Sequence, residues 1–173
     1  CRYGINATGI DAIISEAGTA KTTLYKLFGS KTNLVHAVLE SEGRQWREWF
    51  IAAIEEGGGN AQAKLTRIFP ALKQWFAEER FYGCPFINVV AEFPEADYVG
   101  HQVAREHKQA VRARFEALAG QAGARQPAAL ADALLLLMDG AYMSARMYGA
   151  SPDNPAAHLA AAARQLIEAE YAT

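Results

Sequence analysis

The residues best suited to bind another molecule lie close together between positions 21 and 31. They are hydroxyl, phenol and ammonium side chains, namely Lys21, Thr22, Thr23, Tyr25, Lys26 and Lys31. Hydroxyl groups donate and accept hydrogen bonds, threonine methyl groups contact apolar atoms, and ammonium groups attract anions. The segment therefore predicts a polar surface that binds an anionic partner.

Patterns that would indicate an enzyme are weak. Residues 18–22 resemble the end of a phosphate-binding loop, but Ala20 stands where that loop needs glycine and a predicted helix replaces the strand in front of it. No nucleophile elbow occurs, and metal-ligand spacing is absent among His36, His101, His107 and His158. Asp97 and His101 are four residues apart, and we predict that they form a solvated pair on one helix face. We expect no enzyme activity, no cofactor and no metal.

Composition narrows the remaining classes of protein. The sequence is 51% hydrophobic and 21% charged, and it holds no run of eighteen apolar residues, so we predict a cytoplasmic globular protein without a membrane span. Cys1 and Cys84 offer no disulfide framework. The net charge of -2 requires any nucleic-acid contact to come from a local basic patch. Residues 1–36 lean positive, since Asp11 and Glu16 are outnumbered by Arg2, Lys21, Lys26 and Lys31.

Apolar residues recur with helical spacing along the whole chain, and no strand-like alternation is sustained, so the predicted fold is all-α. We predict short helices over 9–17, capped by Thr8 and ended by Gly18, and over 21–28, ended by Gly29. A longer helix over 31–56 is capped by Ser30 and ends at the glycine run 57–59. The predicted core of this segment comprises Ile13, Leu24, Leu27 and Phe28.

The rest of the chain predicts five further helices. They cover about 61–80 with a kink at Pro70, 86–92, 96–119, 127–149 and 156–171. The helix from Pro127 is apolar on nearly every face, so it must be covered from several sides. Small residues in the last helix permit close contact between helices. One way to cover the apolar helix from Pro127 is to bury it fully inside one subunit.

The two short helices and the tight turn at residues 18–20 predict a helix-turn-helix, in which the first helix braces a second that enters the major groove of DNA. Plain core hairpins of helices have the same spacing. The spacing alone therefore leaves two functions open: a DNA-binding protein and a helical protein-interaction module that binds no DNA.

The identity of the residues favours DNA binding. The run from Gly18 to Leu34, GTAKTTLYKLFGSKTNL, resembles the helix-turn-helix pattern of the tetracycline-repressor (TetR) family. The resemblance implies that Thr22 and Thr23 contact base edges, and that phosphates are bound by Lys21, Tyr25, Lys26 and Lys31. It implies a DNA-binding domain over 1–39, with helix 31–56 continuing into a ligand-sensing and dimerisation domain over 40–173. Family members begin with a helix of which only residues 1–3 are present, and we expect the native protein to have that helix.

The resemblance also implies partners for the body of the chain. Residues 83–88, 91–94 and 105–108 look like a segment seen in one large branch of the family. The last two helices, 127–149 and 155–171, would pair with the same helices of a second subunit, and the homodimer would bind a palindromic double-stranded operator. An unknown small-molecule effector would bind apolar side chains, with polar contacts from Asn88, His107 and Arg146. The apolar candidates are Trp46, Phe50, Trp75, Phe76, Phe86, Met138, Tyr142 and Met143.

Overall fold

A computed structural model describes residues 3–78 and 81–171. The described residues contain no strand, and the predicted all-α fold is confirmed. The helices are α1 (Ile10–Ala17), α2 (Lys21–Phe28), α3 (Lys31–Glu55), α4 (Ala61–Phe76), α5 (Pro85–Glu92), α6 (Val99–Gln121), α7 (Pro127–Tyr148) and α8 (Leu159–Ala169), with a 3-10 helix (Pro155–His158) before α8. Cys1, Arg2 and the predicted helix end at Arg80 lie outside the described residues.

The chain forms two compact units. The first comprises residues 1–45 and 84–107, and the second comprises residues 46–83 and 108–173. Two of the three divisions between the units fall within long helices, α3 and α6, and the third falls between Gly83 and Cys84, just before α5. The predicted division into domains at residue 39 stays a prediction.

In the first unit, α1 and α2 pack against each other across the predicted tight turn. Gly18 ends α1 in the left-handed conformation (φ 60°), which glycine adopts without the steric cost of a Cβ atom. The predicted cap at Thr8 is wrong. Gly9 is the N-cap, and the Thr8 hydroxyl instead donates to the carbonyl oxygen of Gly4 at 2.6 Å, because short polar side chains readily bond to nearby backbone.

The core of the first unit differs from its prediction at one residue. Leu24 is buried, and Ile13 and Phe28 are half-buried, but Leu27 is 70% exposed. Leu24 and Phe28 share one face of α2, whereas Leu27 lies at the edge of that stripe, since successive residues turn by about 100°. A helix of only 8 residues covers a narrow stripe, so Leu27 stays outside it.

Aromatic rings build the core of the second unit. Phe50 of α3 stacks on Trp46 at 4.6 Å between ring centroids, and it meets the edge of Phe115 of α6 at 5.8 Å. Phe115 also stacks on Phe69 of α4 at 6.1 Å. Pro70, beside Phe69, is exposed, and α4 continues through it. The core therefore joins three helices from distant parts of the sequence.

Helix α7 is covered by its own unit on one side only. Helix α7 packs against α4, α8 and the 3-10 helix, and its buried residues include Leu134 and Met138. Leu136 and Met147 are 73% and 72% exposed, so α7 is not fully buried inside this subunit, and its cover by a second subunit stays a prediction. By length and composition α7 would also pass for a membrane-spanning helix. Its packing in the unit accounts for the buried stripe without a bilayer.

Local hydrogen bonds explain where other helices begin. The predicted helix over 156–171 starts as a 3-10 helix, because the Asn154 side chain accepts from the N–H of Ala156 and caps it. Helix α6 begins at Val99, so Asp97 precedes it and the predicted shared helix face with His101 is wrong. The His101 ring instead makes a hydrogen bond of 2.6 Å with the carbonyl oxygen of Phe93.

An ion-pair network between α6 and α7 makes stability depend on pH. Arg112 donates to the carboxylates of Asp132 and Glu116, and its hydrogen bond lowers the pKa of Asp132 below the ordinary value of 3.8. A carboxyl whose pKa is lower in the folded state stabilises the fold above its unfolded pKa and loses that effect as the pH falls.

Asp132→Asn is therefore expected to reduce the loss of stability on acidification. Urea unfolding followed by circular dichroism at several pH values between 5 and 3 measures the effect. Asp153→Asn is the matched control, since Asp153 lies in an exposed loop and forms no ion pair in the described part of the chain. An unchanged pH dependence in Asp132→Asn would contradict the role of this pair.

Candidate nucleic-acid interface

Helix α2 presents most of its polar side chains to solvent. Its one buried residue is Leu24, which anchors the helix in the first unit. Five of the predicted DNA contacts lie on this helix and are exposed: Lys21, Thr22, Thr23, Tyr25 and Lys26. Tyr25 is 42% exposed, enough for its phenol to reach a partner while part of its ring stays packed. The structure therefore brings together five of the six predicted DNA contacts on one short helix.

Backbone and side-chain bonds fix both ends of α2. The N–H groups of Thr23 and Leu24 both donate to the carbonyl oxygen of Ala20, at 3.0 and 3.2 Å. No side chain of the described residues caps this end. The N–H groups of Lys21 and Thr22 have no acceptor in the described part of the chain, and the positive end of the helix dipole there favours a phosphate.

The turn after α2 sets the start of α3. Ser30 accepts a hydrogen bond from the N–H of Asn33 at 3.0 Å, which confirms the predicted cap. The Asn33 amide in turn donates to the carbonyl oxygen of Phe28 at 2.9 Å. Both ends of the turn are thus held by short local bonds, so α2 has a fixed direction relative to the first turn of α3.

Two predicted phosphate contacts have protein partners here. The Lys21 ammonium lies 3.2 Å from the Asp11 carboxylate, with 56% and 83% of the two side chains exposed. An exposed pair of this kind contributes about 0–1 kcal/mol, so a phosphate can replace the carboxylate at little cost. Lys31 donates to the carbonyl oxygen of Asn6 at 2.9 Å, which uses one of its three N–H groups. Lys26 forms no ion pair in the described part of the chain.

The loop before α1 is held by a residue far along the sequence. The N–H of Asn6 donates to the carboxylate of Glu92, the last residue of α5, at 2.8 Å. The backbone of Asn6 is thus held at two points, with its N–H bound to Glu92 and its carbonyl oxygen bound to Lys31. Sequence reasoning missed both Asn6 and Glu92, because a pairing of residues 86 positions apart leaves no local signal.

The residues predicted to bind a ligand fall into two groups. In the second unit, the indole N–H of Trp46 donates to the hydroxyl of Tyr142 at 2.9 Å, and the edge of the Tyr142 ring meets Phe76 at 5.0 Å. Met138 is buried and Met143 is 47% exposed. Phe76 and Arg146 line one cavity, which the other predicted residues of this unit do not.

The remaining predicted ligand contacts lie elsewhere. Phe50 belongs to the aromatic core of the second unit, and Trp75 packs against Trp49 at 4.8 Å. In the first unit, the buried ring of His107 stacks on Phe86 at 3.8 Å, while Asn88 is half-buried on α5. Phe86, Asn88 and His107 thus form a group of their own. Whether any of these side chains binds a ligand stays a prediction.

Two lining residues of the cavity, Lys73 and Phe81, were not among the predicted ligand contacts. Lys73 and Phe81 line it beside Phe76 and Arg146. Lys73 stands three residues before Phe76, a spacing that places both on one helix face. This spacing is the sequence feature from which Lys73 could have been predicted to lie beside Phe76. Phe81 follows the helix, and only the tertiary structure places it at the cavity.

Comparison with known proteins identifies the N-terminal segment. Residues 2–38 match the family model described as bacterial regulatory proteins, tetR family. Over 97 residues the chain is 27% identical to an uncharacterised HTH-type transcriptional regulator of the lacX 3′ region of Lactococcus lactis subsp. lactis. That match covers 56% of this chain and half the length of the relative.

Solved structures match nearly the whole chain. A TetR-family transcriptional regulator from Streptomyces coelicolor superposes with a TM-score of 0.90 at 24% identity, covering 99% of this chain and 89% of the other. A TetR-type regulator from Streptomyces avermitilis has a TM-score of 0.81 at 26% identity, with 96% and 89% covered. Reduced Escherichia coli NemR has a TM-score of 0.81 at 18% identity, with 93% and 86% covered. The family model thus matches the N-terminal segment of the chain, and the fold of the chain is that of solved TetR-family regulators.

Proposed function

We propose that the protein is a transcriptional repressor that binds a palindromic operator as a homodimer and releases it when a small molecule binds. The observation that carries the proposal is the exposed face of α2, where hydroxyl, phenol and ammonium groups surround a single buried anchor, Leu24. A helix with this surface meets the major groove with its polar face, while its phosphate contacts orient it.

A stripe of exposed apolar residues supports the homodimer. On α7 these residues recur at the spacing of one helix face: Leu136, Gly140, Met143 and Met147. On α8, Leu166 is 38% exposed. Exposed apolar patches on a folded subunit indicate a surface that another protein covers, and a self-complementary patch produces a twofold dimer. Two copies of α2 would then face successive half-sites about 34–36 Å apart, or a multiple of that.

Titration with DNA tests the proposed function. The full chain is added to a fluorescent duplex from its own upstream region and to a scrambled duplex of the same length, at several salt concentrations. We expect the upstream duplex to bind at least about a thousandfold more tightly, with affinity that falls steeply with salt. Equal affinity for both duplexes, or none for either, would contradict the proposal and favour a protein-interaction module.

The threonines of α2 are expected to set sequence preference. Thr23→Ala removes a hydroxyl and a methyl group from the exposed face, so the loss should be about 1–3 kcal/mol for the preferred operator and close to zero for the scrambled duplex. Competition titrations with single-base operator variants measure the change. Thr32→Ala on α3 is the matched control, since Thr32 is also exposed but lies outside α2. A uniform loss on all duplexes in Thr23→Ala would contradict a role in base recognition.

A further inference from the structure

A cavity of about 470 Å³ opens in the second unit, where the last turn of α4 meets the last turn of α7. Its walls also include Ala77, Glu78 and Phe81, which follow α4, and residues of the loop after α7. The lining residues that matter for its chemistry are Lys73, Phe76, Glu78, Phe81, Arg146, Gly149 and Asn154. Sites for small organic molecules enclose roughly 300–1,000 Å³, so the volume suits one such ligand.

One wall of the cavity is aromatic and held in place. Phe76 and Phe81 lie 5.1 Å apart between ring centroids, and both contact the ring of Tyr142 behind them, at 5.0 and 5.9 Å. Tyr142 is itself fixed by the hydrogen bond from Trp46 and by the Lys108 ammonium, 5.6 Å from its ring centroid. The wall therefore offers an apolar, ring-shaped surface that needs little rearrangement to receive a flat ligand.

Another part of the lining is a loop closed by its own hydrogen bonds. The side-chain amide of Asn154 donates to the carbonyl oxygen of Gly149 at 2.8 Å, and its oxygen accepts from the N–H of Ala156 at 2.9 Å. These two bonds hold the ends of the loop between α7 and the 3-10 helix. Two parts of the cavity lining are thus held in place by contacts within the protein.

Two cations at the cavity have no counter-ion among the residues that the structure describes. Lys73 on α4 and Arg146 on α7 form neither an ion pair nor a hydrogen bond with any side chain of the described residues. Among the described lining residues the acidic one is Glu78, so the two cations leave an excess of positive charge there. Elsewhere in this unit, carboxylates pair with Lys64, Lys108, Arg112 and Arg114.

From this arrangement we infer that the cavity binds a small aromatic carboxylate. The ring of the ligand lies on Phe76 and Phe81, and its carboxylate is held by Arg146 and Lys73. A guanidinium binds a carboxylate through paired N–H groups, and an ammonium adds a second cation at short range. The link from this site to repression rests on the function proposed above, but the binding itself does not.

Calorimetric titration with three probes of one shape tests the ligand class. The probes are 2-naphthoate, its neutral amide 2-naphthamide and the cation 2-naphthylmethylammonium. We expect 2-naphthoate to bind at least roughly tenfold more tightly than the amide, and the cation to bind most weakly, because only the carboxylate forms charge-assisted bonds with both cations. Equal affinity for acid and amide, or no binding of the acid, would overturn the inference.

Charge-removing variants locate the site. Arg146→Gln and Lys73→Gln are each expected to weaken binding of 2-naphthoate at least roughly tenfold while leaving the amide unchanged. Both residues are exposed, so the fold tolerates the changes. Arg164→Gln is the matched control, since Arg164 is an exposed cation of the same unit that does not line this cavity. Undiminished binding of 2-naphthoate in both cavity variants would overturn the assignment.

Titration of operator with and without 2-naphthoate separates this inference from the proposed function. If the calorimetry succeeds and the protein binds no operator, the proposed function fails and the ligand site stands. If operator binds and the calorimetry finds no preference for the carboxylate, the ligand site fails and the proposed function stands.

Discussion

Replacing Met143 with glutamate is expected to split the proposed dimer into single subunits and to lower affinity for the operator at least about a hundredfold. Met143 is 47% exposed in the subunit, so the folded chain accommodates the carboxylate in water. In the dimer the same carboxylate would be buried against apolar side chains of the second copy without a partner, which is strongly unfavourable. Operator affinity falls because a dimer binds two half-sites at once with its two α2 helices, whereas a single subunit binds only one.

Light scattering coupled to size-exclusion chromatography measures the mass of the particle, and the titration described above measures the affinity. The matched control is Ile51→Glu, which places the same charge at another exposed apolar residue, 48% exposed, outside the stripe. The control should remain a dimer with normal affinity. A Met143→Glu protein that stays dimeric would show that subunits do not meet through α7.

Reversing the charge of Lys26 is expected to weaken binding to every duplex alike, by roughly one to two orders of magnitude at low salt. Lys26 lies on the exposed part of α2, and glutamate there replaces attraction to a phosphate by repulsion. Because a phosphate contact releases a condensed counter-ion, the slope of log affinity against log salt should become less steep by about one.

The same titration repeated across the salt series checks this result. Arg164→Glu is the control, since it makes the same change of net charge on α8 in the second unit. A general effect of net charge would affect both variants equally. If Lys26→Glu bound as tightly as the unaltered protein, or lost only its preferred sequence, Lys26 would not be a phosphate contact.

Local signals made the helix-turn-helix predictable from the sequence. The bounds of α2 agree with the prediction to the residue, because Gly18 and Gly29 end helices and Ser30 caps one through bonds within five residues. The same short range explains the failures. The Thr8 hydroxyl donates to the carbonyl oxygen of Gly4 and does not cap α1. Leu27 lies outside the narrow buried stripe of α2. Both outcomes depend on which of several nearby groups makes the contact, and the local sequence does not decide that.

Contacts between distant segments were not predictable. Glu92 binds the loop at Asn6 across 86 residues, and Phe81 joins Phe76 and Tyr142 in one aromatic wall. Most of the predicted ligand residues are large and apolar, and such residues also fill cores, as Phe50 does here. Charge at the mouth of a cavity, as at Lys73, becomes informative only when the fold shows which cations lack a partner.

Photo-cross-linking from α2 tests the central claim most directly. p-Benzoylphenylalanine is introduced at position 23 or, as the control, at position 51, both exposed, and each protein is irradiated with labelled operator. We predict that the position 23 protein alone forms a covalent complex, which unlabelled operator suppresses and scrambled duplex does not. Cross-linking from position 51 with none from position 23, in a protein that binds the operator, would place DNA on another surface and contradict the account.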